Sequence, residues 1–345
     1  MKRSGLLESI NLRSVFFYLT GRCNLKCRYC YFRHKGKNED IDMGFADAFL
    51  KTLRQHPDRG KIRFVLSGGE PLLVWPLLEK TVQGIRRYFG SNPINVQTNA
   101  TLLDARKLYF LRDQQAGLEI GIDGSFLSTG RQRLGISEVV FDRIGECIVC
   151  ARKLGLSVSA TMTVCPSEVS ALLRNYFYLS SLGLKNIDIT PAAFAGWNAR
   201  NTLFFKTMYA KLLTCFDDRL RVTILTAEDV PQRCLAWGLS VEGNGVVLPG
   251  DVFLCLRPSV KRRFSLMRYQ DGRLLDDPKN FQFFMKHFRR LASKMGNKGF
   301  SARDYVILSF LVLKEITLES RRRGCSAMAG LLHFLKETHQ KYVLK

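Results

Sequence analysis

The sequence lacks long apolar runs, internal repeats and a secretory signal. Its longest apolar candidate, Tyr305–Leu313, falls well short of the roughly 18 residues that a membrane helix needs, so we expect no membrane span. Residues Met1–Ile10 contain neither an apolar core nor a cleavage site, so no secretory signal is predicted. We therefore expect a cytoplasmic protein, in a reducing compartment where cysteines more often bind metal or do chemistry than form disulfides.

Acidic residues are also scarce. The 345 residues include 30 acidic and 53 basic ones, which gives a net charge of +23. Residues 257–345 alone hold 20 basic and 7 acidic residues. Such a field attracts acidic peptides, nucleic acid or an anionic membrane surface. Solvated helix faces in a host with generally basic proteins would explain the same charge, and the composition leaves both explanations open.

Between about residues 13 and 217, short β-rich runs alternate with amphipathic helical patterns. Six strand–helix units in succession predict a parallel α/β fold with right-handed crossovers. Because there are six units rather than eight, we expect a partial (β/α)6 TIM-like barrel, with its reactive groups at the C-terminal strand ends. The predicted strands are Ser14–Thr20, Ile62–Ser67, Ile94–Thr98, Leu118–Asp123, Ser157–Val164 and Asn186–Thr190. The predicted helices are Phe45–Gln55, Leu77–Phe89, Ala105–Gln115, Glu138–Leu154, Glu168–Leu182 and Leu203–Asp217.

The alternation stops after a last β-rich run at Arg221–Thr226. We therefore predict two domains, a barrel over residues 1–227 and a smaller, basic α+β extension over residues 228–345. The first predicted strand begins by residue 14. This leaves no room before it for a small precursor-recognition domain, so recognition is expected from a separate protein or from the extension.

Cys23, Cys27 and Cys30 follow the first predicted strand. Three thiolates on one loop can bind three corners of a cubane iron–sulfur cluster and leave the fourth iron open to a small molecule. A zinc site usually needs a second cysteine pair at finger or ribbon spacing, and none follows at that distance. The loop resembles the cluster loop of the radical S-adenosylmethionine (radical SAM) superfamily. Tyr29 fits this resemblance, because the family favours an aromatic residue before the third cysteine, near the adenine.

Gly68-Gly69-Glu70-Pro71 follows the second predicted strand. Glycines lack a Cβ, so the backbone can approach a ligand closely and adopt positive φ. Alone, the four residues would be read as an ordinary turn. The resemblance implies that the backbone here binds the amino group of S-adenosylmethionine (SAM) and that Glu70 orders the turn.

Gln97 and Asn99 end the third predicted strand, and Asp123 ends the fourth. They resemble the QTNG and SLDG strand ends of the superfamily branch that includes anaerobic sulfatase maturases and many peptide-modifying enzymes. This chain departs from that pattern twice. Ala100 replaces the usual glycine, and Gly121 replaces the serine that touches the ribose.

Arg133 stands at the spacing where relatives place an arginine on the SAM carboxylate. Arg131 takes this role in an alternative register, and Arg133 could instead simply face solvent. Of the two arginines we favour Arg133.

The resemblance also implies a mechanism and a set of cofactors. Cys23, Cys27 and Cys30 bind a [4Fe–4S] cluster, and SAM binds its open iron. An electron from a reductant such as flavodoxin or ferredoxin cleaves SAM, and the 5′-deoxyadenosyl radical abstracts hydrogen from the substrate. The protein supplies orientation and excludes water.

The C-terminal segment resembles the start of a SPASM or twitch extension, which holds auxiliary iron–sulfur clusters. Cys234, Cys255 and Cys325 could bind one such cluster, but the dense cysteine block of these extensions is absent. The alternative is a degenerate extension that has lost its metal. Asp251 falls where sulfatase maturases carry a proton-accepting aspartate, and it is equally well explained as a turn residue after Gly250.

Three functions remain open at this point. The first is an enzyme that modifies a peptide or protein by hydrogen abstraction, with the basic C-terminal quarter suited to an acidic leader peptide. The second is an enzyme that modifies RNA, whose binding would weaken steeply with salt. The third is a non-catalytic scaffold that binds SAM and a cluster.

Overall fold

The computed structural model describes residues 12, 14–30, 40–192, 195–214, 221–224, 238–242, 246–249 and 267–276. The strands, in chain order, are β1 (Ser14–Thr20), β2 (Lys26–Cys27), β3 (Arg63–Gly68), β4 (Ile94–Thr98), β5 (Ala116–Gly121), β6 (Arg133–Leu134), β7 (Val158–Val164), β8 (Asn186–Pro191), β9 (Arg221–Ile224), β10 (Gly238–Glu242), β11 (Val246–Pro249), β12 (Met267–Gln270) and β13 (Arg273–Asp276). The α-helices are α1 (Met43–Leu53), α2 (Trp75–Phe89), α3 (Ala105–Asp113), α4 (Phe126–Gln132), α5 (Glu138–Lys153), α6 (Leu172–Ser181) and α7 (Ala199–Thr214). Short 3₁₀ helices cover Arg59–Lys61, Pro71–Val74 and Pro166–Ala171.

The fold is built on one sheet of nine strands in the order β11-β10-β1-β3-β4-β5-β7-β8-β9. Its strand pairs are parallel except for the antiparallel β10–β11 pair. From β1 to β8 the neighbours follow the chain order, with helices in the connections, as right-handed βα crossovers produce. The six predicted strand–helix units are confirmed, and the sheet is a partial TIM-like barrel.

Several predicted bounds differ from the structure by a few residues, and two of them differ for identifiable reasons. β5 ends at Gly121, before Asp123, whose backbone N–H donates to Thr129 Oγ1 over 3.2 Å instead of to a strand. The helix predicted over Glu168–Leu182 begins as a 3₁₀ helix, with Pro166 in its first turn, and becomes α-helical at Leu172. Helix α4 was not predicted, because its seven residues are too few to show a periodic pattern.

Both edges of the barrel carry strands from beyond residue 220. β9 pairs with β8, and β10 pairs with β1 from Ser14↔Gly238 to Tyr18↔Glu242. The strands β10 and β11 fall in the segment that we assigned to the extension, so this segment begins on the barrel sheet. The division into two domains at residue 227 stays a prediction.

The two faces of the sheet differ in chemistry. On the outer face, alternate strand residues such as Phe17, Leu66 and Ile120 are fully buried in one large core with the helices. On the inner face, Phe16, Tyr18 and Val65 of β1 and β3 form a separate apolar cluster. From β4 to β8 the inner-face residues are mainly polar or glycine, as the alternation of strand side chains dictates. They are Asn95, Gln97, Gly117, Glu119, Gly121, Ser159, Thr161, Thr163, Asp188 and Thr190.

No helix within the described ranges is both long enough and apolar enough to cross a bilayer.

Candidate functional site

The cysteine loop leaves the sheet at the C-terminal end of β1 and is anchored to the segment that follows α4. β2 pairs antiparallel with β6, with Cys27 opposite Arg133, and the Arg28 N–H donates to Gln132 O over 2.8 Å. Cys23 is exposed, Cys30 is half-buried and Cys27 is buried, and all three are free thiols. The backbone therefore holds the middle cysteine firmly and leaves the other two accessible.

The donor set fits a cubane cluster better than a single ion. Among the described residues, no three His, Cys, Asp or Glu side chains lie close enough to hold one metal ion. A [4Fe–4S] cluster does not require this, because each cysteine binds a different iron. Three free thiols on one anchored loop are the protein ligands that such a cluster takes when one iron stays open.

Burial raises the pKa of the Cys23 thiol and raises that of Cys27 to about 11. The positive charge of Arg133 acts against this for Cys27, but it does not outweigh burial. Without a metal these two thiols hold their protons at neutral pH. Cluster binding therefore has to displace those protons, as it does generally for thiolate ligands.

The two glycines at the end of β3, Gly68 and Gly69, allow two backbone segments to pass very close to each other. A Cβ on Gly68, whose φ is +145°, would lie 2.4 Å from Thr20 O, and one on Gly69 would lie 2.1 Å from Arg22 O. In this space Gly69 N donates to Thr20 O and Glu70 N donates to Arg22 O, each over 2.8 Å. Glycine is therefore required at both positions for this turn to pack against the end of β1 and the start of the cysteine loop, independently of any ligand.

Glu70 is fully buried and joins the ends of β3 and β4. Its Oε1 accepts from Leu72 N over 3.0 Å and from Thr98 Oγ1 over 2.7 Å, and its Oε2 accepts from Asn99 N over 2.8 Å. Burial raises the pKa of Glu70, although these donors oppose the shift. Glu70 orders the turn, as the sequence resemblance implies, and Pro71 opens the 3₁₀ helix that follows.

The end of β4 reaches the cysteine loop through Asn99. Its Nδ2 donates to Asn24 Oδ1 over 2.9 Å and lies 3.9 Å from Cys23 Sγ, while Asn24 donates to Thr101 Oγ1 over 2.8 Å. Ala100 follows with φ of +62°, in the left-handed region that favours glycine. This explains why a glycine is usual at that position of the QTNG pattern.

A second buried carboxylate, Asp123, lies beyond the end of β5 and binds the other side of the cysteine loop. Arg133 pairs with it through two nitrogens, Nε to Oδ2 over 3.0 Å and Nη2 to Oδ1 over 2.9 Å. Tyr29 OH donates to Oδ2 over 2.7 Å, and Thr163 N donates to Oδ1 over 3.0 Å. The Arg133 guanidinium also lies 5.5 Å from the centre of the Tyr29 ring.

Arg133, rather than Arg131, faces this site. Arg133 is only 7% exposed. Burial by itself would lower its pKa, but the charge of Asp123 outweighs burial and the pKa is raised. The side chain of Arg131 is 65% exposed and lies 3.8 Å from Glu168. The pKa of Tyr29, by contrast, is raised well above its usual value, and burial is the largest cause.

Gly121 is explained by Arg133. A Cβ at residue 121 would stand 2.7 Å from Arg133 Nη1, so the guanidinium occupies the space that a serine side chain would need. The glycine that departs from the SLDG pattern at residue 121 and the arginine at residue 133 are therefore matched to each other in size. Arg133 Nη1 itself has no hydrogen-bond acceptor among the described residues.

Sequence reasoning missed residues that take part in this arrangement. Thr98 and Thr163 bind the two buried carboxylates, and Asn24 connects the loop to β4. Glu119 forms a hydrogen bond with Gln97, which we had expected at the SAM site. The alternation of polar and apolar residues along β4, β5 and β7 was the available signal for the inner-face residues. Asp251, Cys234, Cys255 and Cys325 lie outside the described residues and stay predictions.

Residues 17–171 match the family model of the Radical SAM superfamily. Among curated relatives, the uncharacterized protein MJ0907 of Methanocaldococcus jannaschii is 34% identical over 115 residues, which are 33% of this chain and 39% of that protein. A probable GTP 3′,8-cyclase of Methanothermobacter thermautotrophicus is 31% identical over 144 residues, 41% of this chain and 45% of the cyclase. The subtilosin biosynthesis protein AlbA of Bacillus subtilis is 30% identical over 106 residues, 31% of this chain and 22% of AlbA. Each alignment thus spans less than half of the relative.

Solved structures share the fold over a greater length. AdoMet-bound anSMEcpe gives a TM-score of 0.63 at 18% identity and covers 93% of this chain and 98% of its own. Streptococcus suis SuiB, bound to its precursor peptide SuiA, gives a TM-score of 0.57 at 13% identity, over 71% of this chain and 61% of its own.

The family match and the site geometry coincide in the same part of the chain. Residues 17–171, just under half of the chain, match a radical SAM domain and include the cysteine loop and both buried carboxylates.

Proposed function

We propose that this protein binds a [4Fe–4S] cluster through Cys23, Cys27 and Cys30 and uses SAM to modify a peptide or protein substrate. When bound, the cluster and SAM supply a 5′-deoxyadenosyl radical that abstracts hydrogen from the substrate. The observation that carries the proposal is the anchoring of one three-cysteine loop by two separate buried carboxylate networks. These residues of the chain position the loop.

Two groups of residues hold the cysteine loop in place from two sides. Asn99 and Asn24 fix the Cys23 side of the loop, and Asp123 with Arg133 fixes the Cys27 and Tyr29 side. The Gly68–Gly69 backbone, which packs against Thr20 and Arg22, is proposed to bind the amino group of SAM, as the resemblance implies. Arg133 uses Nε and Nη2 to bind Asp123, whereas its Nη1 donates no hydrogen bond within the described part of the chain and suits the SAM carboxylate.

A peptide or protein substrate is favoured over the alternatives by two likenesses. AlbA is a bacteriocin biosynthesis protein, and SuiB was solved with a precursor peptide. The anSMEcpe fold, also solved with a bound Cp18Cys peptide, spans 94% of this chain. We further propose a cytoplasmic location, which suits the free thiols, and a reductant such as flavodoxin or ferredoxin.

A nucleotide or RNA substrate is the second candidate. The similarity to probable GTP 3′,8-cyclases favours a nucleotide, and the net charge of +23 suits RNA. RNA binding would weaken by orders of magnitude as salt rises from roughly 50 to 200 mM. Tight peptide binding together with a flat salt dependence for RNA would favour the peptide.

The cluster assignment is tested by a pair of cysteine variants. After anaerobic reconstitution with iron and sulfide, Cys27→Ala should contain the iron and sulfide of one cluster fewer than the wild type, and it should form no 5′-deoxyadenosine from SAM and dithionite. Cys150→Ala is the matched control, because Cys150 is an exposed free thiol on α5. Equal SAM cleavage in the two variants would contradict the assignment.

The substrate class is tested by co-expression with the short open reading frames that neighbour the gene. The proposal expects one encoded peptide to change mass when the wild-type protein is present and to stay unchanged with Cys27→Ala. If a GTP or RNA substrate changes instead, the peptide assignment is wrong while the radical SAM assignment stands.

The extension beyond residue 227 is proposed to be SPASM- or twitch-like, with Cys234, Cys255 and Cys325 binding one auxiliary cluster. A variant in which Cys23, Cys27 and Cys30 are all replaced should then retain iron and sulfide. A metal-free triple variant would remove the second cluster and leave the first assignment intact.

A further inference from the structure

Glu119 lies near the middle of β5 on the inner face, away from the cysteine loop. Gln97 Nε2 of β4 donates to its Oε1 over 3.1 Å, and Thr161 Oγ1 of β7 donates to the same oxygen over 2.8 Å. Both donors are neutral. No lysine, arginine or histidine of the described chain pairs with Glu119, and Oε2 accepts no hydrogen bond from a described residue. This half-buried carboxylate is therefore fixed in position with one oxygen still open.

The nearest residues on the same face of β5, Gly117 and Gly121, are both glycines, so Glu119 has no side-chain neighbour along the strand. Asn95 Oδ1 occupies the space beside Gly117, where a Cβ would stand 2.7 Å from it, and the Arg133 guanidinium occupies the space beside Gly121. That guanidinium is already bound to Asp123 by two hydrogen bonds.

An unpaired hydroxyl on a neighbouring strand also indicates a ligand at this face. Thr190 of β8 has a buried Oγ1 with no hydrogen-bond partner among the described residues. It lies opposite Thr163, and Asp188, two residues earlier, lies opposite Thr161. A buried polar atom without a partner is costly, so such atoms mark places where a bound group supplies the partner.

The remaining part of the inner face is apolar. Phe16, Tyr18 and Val65 form a buried cluster on β1 and β3, next to the polar strands β4 to β8. An open carboxylate that is held by neutral groups alone complements a side chain that has a cationic head. Lysine and arginine have this form.

We propose that the inner face of β4, β5 and β7 binds a lysine or arginine side chain of the substrate, with Glu119 Oε2 accepting from its cationic head. The inference rests on the proposed function, since it takes the barrel interior to be where a peptide meets the SAM site. Gln97 and Thr161 are positioning residues that fix the carboxylate. Glu119 determines specificity by preferring a cation over an apolar or acidic side chain.

The test measures binding without turnover, so that it does not depend on SAM cleavage. The probes are N-acetyl-lysine methylamide and its uncharged counterpart, N-acetyl-norleucine methylamide, added to the cluster-reconstituted full chain. Saturation-transfer NMR should show about fivefold or greater preference for the lysine derivative. Glu119→Gln should reduce that preference to less than about twofold. The control Glu146→Gln, at an exposed position of α5, should keep it.

Turnover provides a second readout with side-chain-deuterated probes. Deuterium found in each 5′-deoxyadenosine formed should be higher with the lysine derivative than with the norleucine derivative, and Glu119→Gln should remove the difference. Equal binding of the two probes by the wild-type protein, or a lysine preference that survives in Glu119→Gln, would overturn the proposal. So would Glu119-dependent binding of GTP without binding of the lysine derivative. If the wild type shows the preference but no SAM cleavage, the proposed function fails and the binding site stands.

Discussion

Two buried carboxylates hold the cysteine loop from opposite sides, and they do so by different physical means. Glu70 is bound only by neutral donors, from Leu72, Thr98 and Asn99. Asp123 is bound by the cation of Arg133 as well as by Tyr29 and Thr163. The Glu70 network connects the turn after β3 to the end of β4 within the barrel. The Asp123 network connects the Tyr29 side chain of the loop to the barrel.

The difference has electrostatic consequences. Burial raises the pKa of Glu70 because its neutral donors do not fully replace water. At Asp123 the charge pair is complete, and the same pairing raises the pKa of Arg133. A buried pair is sensitive to the loss of either partner, because the remaining charge is left without compensation. The loop is therefore held by one network of neutral donors around a carboxylate and by another that contains a buried charge pair.

The largest expected effect is the loss of the Asp123 charge. Asp123→Asn leaves the Arg133 guanidinium buried without a counter-charge, so unfolding by denaturant should become easier by about 3–5 kcal/mol. Asp142→Asn on α5, an exposed position, is the matched control and should change stability by less than about 0.5 kcal/mol. Recovery of most of the loss in the double variant Asp123→Asn with Arg133→Met would confirm the cause, and a wild-type-like single variant would contradict it.

The next largest effect is expected from removing the hydrogen bond that connects Tyr29 of the cysteine loop to the Asp123–Arg133 pair. Tyr29→Phe removes one hydrogen bond to the Asp123 carboxylate and keeps the ring beside Arg133. We expect a loss of about 1.5–3 kcal/mol, the range for hydrogen bonds to charged groups. Denaturant unfolding measures it, with Tyr109→Phe, at an exposed ring on α3, as the control. Equal losses in the two variants would show that the hydroxyl contact is unimportant.

A third, comparable effect tests the pairing of Gly121 with Arg133. Gly121→Ala places a Cβ against Nη1 of a guanidinium that Asp123 holds in place, and should destabilise by about 1–3 kcal/mol. Gly145→Ala provides the contrast, since a Cβ there meets nothing within 4 Å. In the interior of α5 it should stabilise by about 0.5–1 kcal/mol. A neutral Gly121→Ala would mean that Arg133 moves freely.

The smallest expected effect is a pH dependence of the free energy of unfolding that is caused by Glu70. Because its folded-state pKa is raised above the usual 4.5, unfolding releases a proton at intermediate pH. Its contribution is fully present below the unfolded pKa and is lost as pH rises through the higher folded value. The free energy of unfolding of the wild type should fall relative to Glu70→Gln as pH rises from about 4.5. A difference that is constant with pH would contradict the raised pKa.

The residues of the cysteine loop and its surroundings show which features of the fold and site the sequence predicts and which it does not. The cysteine spacing, the glycine pair and the order of strand ends are local patterns, so they predicted the cluster loop, the six units and the partial barrel. Arg133 was named from its spacing, but its partner was not, because Asp123 lies ten residues away at the end of another element. The roles of Gly68 and Gly69 were expected toward a ligand, whereas their first use is toward Thr20 and Arg22.

The sequence alone indicated the chemistry of this protein, because three cysteines at this spacing can bind one cluster from a single short loop, and that spacing does not depend on the rest of the fold. Only the tertiary structure decided which charges face each other. It paired Asp123 with Arg133, made room for that arginine at Gly121, and left one oxygen of Glu119 open on the inner face. The reason is that contacts between strands depend on register and sheet order, and neither is encoded within a few neighbouring residues.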